Sequence, residues 1–510
     1  MPSVTKRKAA ASNAVAKDYS ALMKNRFLRP AAPTRLAVST QVQIEHVRRL
    51  PRKATIYAIK ELVRRAGVTA DLFQTWRIEF DDQGFVNVFI QPSTSQKIRF
   101  PQANLWFWRE LNAGQFRTST AKWMCDPGTK AVLIPDFKIP FSSDVRRDVG
   151  SLFAAAGRDC LECTVDLPTS VLLTLSRFEE TLPGPRDVHG RFSAFSSIAW
   201  QNGFLHRPIV DEYGLALEQA LSILLPRWKP AERRLRVKLG HDVDEIGLPF
   251  SLRTVLGHTF RRKLPLGTLR DLVAPWTGID TTYAILLRKL VNLSFEHGLD
   301  AAVYWKASAP RAQEAGYDIR DKRIRSLVAG FHAKGIEMGV HPSYDTFESL
   351  ERLQMEVSAV RELLGDHEIG GRQDFLRWNP ETWVHWDELG LAYDATVGFA
   401  DHIGFRAGTS YPYRPWLLSK GREAQLLEIP LMAMDSTPQG YMKLSPEDAF
   451  RELLDCVARC RAVGGVFSLL WHNTRLIGRG YPVVYRKLLH ELAGSARYDW
   501  RQSCDRRFWS

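Results

Sequence analysis

From residue 233 onward, short apolar runs alternate with longer stretches in which apolar residues recur every three or four positions. The longer stretches predict amphipathic helices, for example over 348–364, over 446–463 after the N-cap Ser445, and over 481–492. About seven strand–helix alternations are typical of a parallel α/β fold, with either a closed barrel or an open sheet. The short runs that predict buried strands are 233–239, 301–305, 337–341, 371–376, 392–397, 426–434 and 465–471.

The pattern before residue 228 is less regular. A helix is predicted over 54–66, and a hairpin follows, with strands 75–80 and 85–91 around an Asp-Asp-Gln-Gly turn. A short buried strand is predicted over 131–135. We therefore expect a smaller α+β domain over 51–228 and a second domain over 229–510, joined by a charged, proline-containing linker.

Basic charge is concentrated at the start of the chain, where we expect a flexible arm over residues 1–50. The formal net charge is +14, and residues 1–60 contain thirteen Lys or Arg against only Asp18 and Glu45. The rest of the chain is therefore close to neutral. The basic residues lack the regular interleaving of aromatic side chains that a base-stacking surface needs, so nucleic-acid binding is not the expected role.

Membrane and secretory signals are missing from the sequence pattern. No run approaches the ~18 apolar residues of a membrane span, and no early stretch has the 7–15 apolar residues of a signal peptide. Six cysteines in 510 residues do not suggest a disulfide framework. We expect free thiols and a cytoplasmic protein.

Titratable side chains stand at the ends of several predicted strands. In parallel α/β folds the carboxyl ends of the strands meet on one side of the sheet, where ligands bind. We therefore expect these side chains to converge on a candidate active site. They are His241, Asp242, Asp244, His341, Arg372, Asp394 and His472.

The ordered set Asp-x-Asp, His-Pro-Ser-Tyr, Arg, Tyr-Asp and Leu-x-x-His resembles that of the polysaccharide deacetylases, carbohydrate esterase family 4 with the NodB-homology fold. The resemblance covers residues 233–495. It implies a distorted (β/α)7 barrel that uses a divalent metal to hydrolyse N-acetyl groups on amino sugars. Segments 175–180 and 187–192 are also similar to an amino-terminal domain of unknown role that precedes such barrels in some bacterial proteins.

The resemblance implies catalytic roles for four residues. Asp242 would be the general base that takes a proton from the attacking water, and Arg372 would orient it. His472 would protonate the leaving amine, and Asp394 would orient His472. A cation bound to a neighbouring carboxylate separates the pKa values of two such groups and so allows them different roles.

For the metal, the resemblance implies Asp244 and His341 as ligands. The family carries a second histidine at the position of Asp345, and because aspartate also binds zinc or manganese, either metal remains chemically reasonable. Two alternatives stay open. Asp345 could instead cap the helix that starts near Phe347, or the metal could be lost, with His241 binding the cation or substrate.

Weaker substrate candidates are His241, Tyr344, Arg406, Trp471 and Glu428. Arg406 lies in a long loop, 398–413, which favours a substrate-covering role. Glu428 could bind sugar hydroxyls or form a structural ion pair, and Trp471 could stack on a sugar ring or belong to the core.

The implied function is a metal-dependent hydrolase that removes an N-acetyl group from a glycan or glycan precursor. The alternative, from a different class, is a catalytically silent barrel that binds carbohydrate or a partner protein.

Overall fold

The computed structural model describes residues 52–91, 94–103, 105–112, 118–122, 136–141, 151–246, 274, 280–307, 317–365, 368–477 and 480–503. The expected basic arm, 1–50, and the expected strand 131–135 lie outside these ranges. The described strands are β1 (Arg77–Phe80), β2 (Phe85–Phe89), β3 (Lys97–Pro101), β4 (Thr118–Lys122), β5 (Asp136–Pro140), β6 (Phe153–Ala155), β7 (Cys160–Cys163), β8 (Arg236–Val243), β9 (Ala301–Trp305), β10 (Glu337–Val340), β11 (Tyr393–Asp394), β12 (Trp416–Leu417), β13 (Arg422–Glu423), β14 (Leu427–Glu428), β15 (Ala433–Met434), β16 (Val466–Leu470) and β17 (Ala496–Arg497).

The described α-helices are Arg52–Arg65, Ala70–Gln74, Leu105–Asn112, Leu167–Leu175, Ile198–Gln201, Ile209–Leu224, Thr282–Glu296, Lys322–His332, Leu350–Leu364, Pro380–Glu388, Pro446–Val463, Tyr481–Leu492 and Trp500–Ser503. Long helices occur where apolar residues recur at helical spacing, and the predicted helix over 446–463 is confirmed with the Ser445 side chain accepting the Asp448 N–H. No helix in the described ranges is long and apolar enough to cross a membrane.

The amino-terminal region contains a mixed sheet in the order β1-β2-β3-β7-β6. The predicted hairpin is confirmed, because β1 and β2 pair antiparallel with Arg77 opposite Phe89 and Phe80 opposite Val86. The buried face of helix Arg52–Arg65 contacts helices Leu167–Leu175 and Ile209–Leu224.

The second region contains a parallel sheet in the order β10-β9-β8-β16-β15. Strand β8 is central, pairing with β16 through its first half and with β9 through its second half. All residues of β9 and β16 are buried. Helices Pro446–Val463 and Tyr481–Leu492 pack against this sheet through apolar side chains, so the hydrophobic core lies between sheet and helices. The fold is a mixed α/β arrangement.

Three predicted strands differ from the structure, and one of them, 392–397, is reduced to the two residues of β11. Instead of a strand over 371–376, Gly371 alone bridges Val340 and Asp394, and the chain then turns into a 3₁₀ helix at Asp374–Leu376. Only glycine fits at 371, because a Cβ atom there would lie 2.0 Å from the Val340 carbonyl oxygen. The expected strand 426–434 is split into β14 and β15 around Pro430, which has no backbone N–H to donate. In the described ranges the named strands do not close into a barrel.

Buried polar contacts join the amino-terminal region to the loop 398–413. Arg65 donates from Nε to Asp211 Oδ1 at 2.8 Å and from Nη2 to Thr409 Oγ1 at 3.1 Å. Arg406 donates from Nε and Nη2 to the two carboxylate oxygens of Glu180, at 2.9 and 2.6 Å. Because these groups are buried, each needs its partner, and the contacts tie the two regions together.

Candidate active site

The site lies where β8, β9, β10 and β16 end. Successive residues of a strand point to opposite sides, so Asp242 and His241 face opposite sides of β8. Asp244 directly follows β8 and lies against His341 and His472. His341 directly follows β10, and His472 lies two residues after β16. Five of the predicted residues meet here: Asp242, Asp244, His341, Arg372 and His472.

Asp242 is held by Arg372. The guanidinium Nη1 donates to Asp242 Oδ1 at 2.7 Å, and Nε donates to the Ala395 carbonyl at 2.9 Å. Both side chains are buried. Gly240 leaves space for the guanidinium, since a Cβ atom at that position would lie 2.6 Å from Arg372 Nη2. The contact fixes one carboxylate oxygen of Asp242 and provides its counter-charge.

Asp244, His341 and Asp374 form a candidate cation site. One donor atom from each lies within 4.8 Å of the others, and this is the one such cluster of acidic, histidine or cysteine side chains in the described ranges. His341 Nε2 lies 3.2 Å from an oxygen of each carboxylate. His341 Nδ1 lies 2.7 Å from the Arg372 carbonyl oxygen, to which it donates, so in the neutral ring Nε2 offers a lone pair.

Asp345, the ligand expected from the sequence, lies outside this cluster. Its side chain is 52% exposed and stands 3.6 Å from Arg352 and 3.5 Å from Arg377. A 3₁₀ helix starts directly at Thr346, which directs residue 345 away from the strand ends, and the Asp345 side chain accepts no capping hydrogen bond. The third member of the cluster is Asp374, which was not predicted as a ligand although it follows Arg372 by two residues.

Lys306 is a further residue that the sequence reasoning missed. It directly follows β9, its side chain is 1% exposed, and Nζ lies 3.0 Å from Asp374 Oδ2 and 3.5 Å from Asp244 Oδ1. Burial alone raises the pKa of both carboxyls, but the hydrogen bond from His341 and the charge of Lys306 outweigh it, so both pKa values are lowered. The signal for Lys306 was its position at the end of the second predicted strand.

The same charges act on His341. Burial opposes its protonation, but the charge of Asp242 and the hydrogen bonds to Asp244 and Asp374 outweigh burial and raise the pKa of His341 to about 10. Without a metal, an imidazolium therefore balances part of the acidic charge. The donor set of two carboxylates and one imidazole also fits zinc or manganese. Lys306 would then be a positive charge beside the metal at the same carboxylate oxygens.

His472 is paired with Asp435. Its Nδ1 lies 3.0 Å from both oxygens of Asp435, which also accepts the backbone N–H of His472. Its Nε2 lies 3.5 Å from Asp244 Oδ2. Burial opposes the charge, but Asp435 outweighs it and raises the pKa of His472 to about 9. This histidine therefore carries a proton at neutral pH with Nε2 directed toward the acidic cluster.

The partner expected for His472 was Asp394, and the structure has Asp435 in that position. Strands β15 and β16 are parallel neighbours with Met434 opposite Leu470, so the residues that follow them lie side by side. Asp394 instead accepts the backbone N–H and the hydroxyl of Thr396. Burial raises the pKa of Asp394 to about 7, although the Thr396 hydrogen bonds oppose this.

Four of the predicted substrate residues are interior. His241 has Nδ1 2.8 Å from the Trp471 carbonyl oxygen, and burial lowers the pKa of His241 to about 4. The Trp471 ring is buried and stacks on Tyr485 at 4.7 Å. Glu428 is buried, accepting hydrogen bonds from Trp383 Nε1 and Val397 N at 2.8 and 3.2 Å. The fourth, Arg406, binds Glu180. All four contribute to the interior of the protein.

Tyr344 is partly exposed and lies near the site, where a turn of the amino-terminal region meets it. The Tyr344 hydroxyl lies 3.1 Å from His189 Nδ1, and its ring packs edge-on against Phe375 at 5.3 Å. Arg191 donates to the Phe375 carbonyl oxygen at 2.9 Å and to the Tyr441 hydroxyl at 2.8 Å. The amino-terminal region therefore contacts Phe375, the residue that directly follows Asp374.

A family match was found for one part of the chain. Residues 50–226 match a family of unknown function, DUF7033. No curated protein sequence matches the chain.

The chain also resembles several solved structures, each over about half of its length. One is titled a putative polysaccharide deacetylase from Mycobacterium smegmatis, with 17% identity, a TM-score of 0.36, and coverage of 55% of this chain and 91% of that one. A second is the PuuE allantoinase, with 15% identity, a TM-score of 0.36, and coverage of 56% and 92%. A third is a family 4 carbohydrate esterase from Streptomyces lividans in complex with acetate, with 11% identity, a TM-score of 0.27, and coverage of 52% and 89%. These names describe those proteins, and the chemistry of this chain depends on its own side chains.

Proposed function

We propose that this protein is a metal-dependent hydrolase that removes an N-acetyl group from an amino-sugar glycan or glycan precursor. The proposal rests on one observation: three groups of side chains lie together at the same strand ends. They are the Asp242–Arg372 pair, the cation cluster, and the His472–Asp435 pair. Amide hydrolysis is accelerated by a base, an electrophile and an acid that are all within reach of the bond to be broken.

The cation cluster would hold zinc or manganese through Asp244, His341 and Asp374. A divalent metal there would supply Lewis acidity, which polarises a carbonyl group and lowers the pKa of water. Asp242 accepts the proton of the attacking water, and the hydrogen bond from Arg372 keeps that carboxylate oriented.

The leaving group is handled by His472. As the water oxygen bonds to the acetyl carbon, the bond from that carbon to the sugar nitrogen breaks. While that bond breaks, His472 donates the proton on Nε2 to the nitrogen, so that acetate and a free amine result. Asp435 holds Nδ1, which keeps Nε2 directed at the cluster and stabilises the charged imidazolium before transfer.

For the fold, we propose that the parallel strands belong to a distorted (β/α)7 barrel. The single-residue bridges of Gly371 to Val340 and Asp394 support this, since they link β10 to β11. Strand β14 pairs with β11, and β15, a few residues further along, is the edge strand beside β16. The segment 427–434 therefore runs from the β11–β14 pair to the other edge of the sheet. The residues before 229 would form the smaller α+β domain and the arm.

One observation favours the second candidate, a catalytically silent module that binds carbohydrate or protein. Lys306 already lies against two carboxylates of the cation cluster, and His341 lies against the same two. An acidic cluster that is neutralised by the chain itself does not need a metal to be stable.

The test uses the purified full chain with N-acetylated chitooligosaccharides. Acetate and free amine are measured with added zinc or manganese and with a chelator. We expect metal-stimulated release of both products, reduced by at least about 100-fold in Asp242→Asn and His472→Ala. Asp345→Asn is the matched control at an acidic position outside the cluster, and it should retain activity.

Release that is equally fast in Asp242→Asn would overturn the assigned roles. Binding of the oligosaccharide without acetate release under any metal condition would favour the silent module.

A further inference from the structure

The ammonium group of Lys306 is built into the cation cluster. The backbone N–H of Lys306 donates to the Tyr317 hydroxyl at 2.9 Å, and the residue directly follows β9, whose five residues are all buried. The side chain therefore starts from a rigid position and runs through the interior to Asp244 and Asp374. A lysine buried to 1% exposure is retained in a protein only when its charge is compensated.

The charges around the cluster pair off without a metal. Arg372 is matched with Asp242, and His472 with Asp435. The remaining carboxylates, Asp244 and Asp374, each lie against both Lys306 and His341. Two added positive charges from a divalent ion would leave the cluster over-compensated if the ammonium stayed in contact with both carboxylates.

We propose that Lys306 competes with the divalent metal for Asp244 and Asp374 and thereby sets the metal affinity of the site. This inference rests on the proposed metal site. In the metal-free protein the ammonium holds the two carboxylates together, so the site stays assembled. When a metal binds, the ammonium leaves these oxygens, and the work of separating the ion pairs weakens metal binding.

The experiment measures metal binding directly. Manganese and zinc are titrated calorimetrically into the full chain, as wild type, Lys306→Met and Lys306→Arg. Methionine keeps the apolar stem without the charge, and arginine keeps the charge. We expect Lys306→Met to bind about 10- to 100-fold more tightly than wild type, the range that changes around metal ligands typically produce. Lys306→Arg should stay close to wild type.

Two further variants make the result specific. In Lys306→Met with Asp374→Asn, metal binding should be lost as in Asp374→Asn alone, which assigns the tighter binding of Lys306→Met to the cluster. Lys306→Gln, a polar and neutral side chain, replaces the methionine variant if circular dichroism shows that the latter is unfolded.

Equal or weaker binding by the folded neutral variant overturns the competition. If wild type and variant both bind tightly, only this inference fails and the proposed metal dependence stands. If neither binds, both fail. Acetate release measured in parallel tests the hydrolase separately.

Discussion

Replacing Glu180 by glutamine is expected to destabilise the protein by about 3 kcal/mol at neutral pH, because it leaves two buried guanidinium groups without their shared carboxylate. Glu180 accepts hydrogen bonds from Arg406 at 2.9 and 2.6 Å and from Arg177 at 2.8 Å. All three side chains are nearly inaccessible to solvent. The substitution therefore tests whether Arg406 stabilises the contact between the amino-terminal region and the loop 398–413.

The magnitude follows from the pKa of Glu180. Burial alone raises it, but Arg406 and then Arg177 outweigh burial and lower the pKa from 4.5 to about 2. At about 1.4 kcal/mol for each pH unit, this difference corresponds to about 3 kcal/mol. A loss of similar magnitude, roughly 3–5 kcal/mol, is expected when one partner of a buried ion pair is removed.

The pH dependence has a definite sign. A carboxyl whose folded-state pKa is depressed stabilises the protein above its unfolded pKa, and this contribution is lost as the pH falls from 4.5 toward 2. The difference between wild type and Glu180→Gln should therefore be largest at neutral pH. It should have shrunk by about 1 kcal/mol near pH 4.

Urea unfolding of both proteins, followed by tryptophan fluorescence at several pH values, measures the effect. Glu232→Gln is the matched control, since Glu232 pairs with Arg234 in an exposed contact and should show no measurable change. A loss below about 1 kcal/mol at neutral pH, or a difference that grows on acidification, would refute the reasoning.

Further expectations concern acidic residues in and near the site. Asp374→Asn should abolish calorimetric metal binding and Asp345→Asn should not, whereas equal loss in both would contradict the cluster of ligands. Asp435→Asn should slow acetate release by at least about 100-fold, because it removes the partner of His472. Acetate release by Asp394→Asn should stay within about tenfold of wild type, since an amide oxygen can still accept the Thr396 hydrogen bonds. The reverse order of rates would restore the sequence-based assignment of Asp394. Glu428→Gln should lower the free energy of unfolding by about 1–3 kcal/mol, because both carboxylate oxygens accept N–H donors and glutamine offers only one acceptor; an unchanged urea midpoint would contradict this.

The sequence by itself determined much of the local structure and the edge at which the chemistry lies. Apolar spacing predicted the helices 446–463 and 481–492 and the strand 301–305, all of which are confirmed, because periodic burial is a property of a single element. It also predicted that Asp242 and His341 would lie at strand ends, since strands in such patterns run from an apolar interior to a polar edge.

Only the tertiary structure decided which side chains are partners. Asp435 rather than Asp394 contacts His472 because β15, not β11, pairs with β16, and strand order is a long-range property that no local pattern contains. Asp374 replaces Asp345 in the cluster for a comparable reason, namely the turns that follow Gly371 and precede Thr346. The metal affinity that Lys306 is proposed to set depends likewise on distances across three strand ends, which arise only when the sheet is assembled.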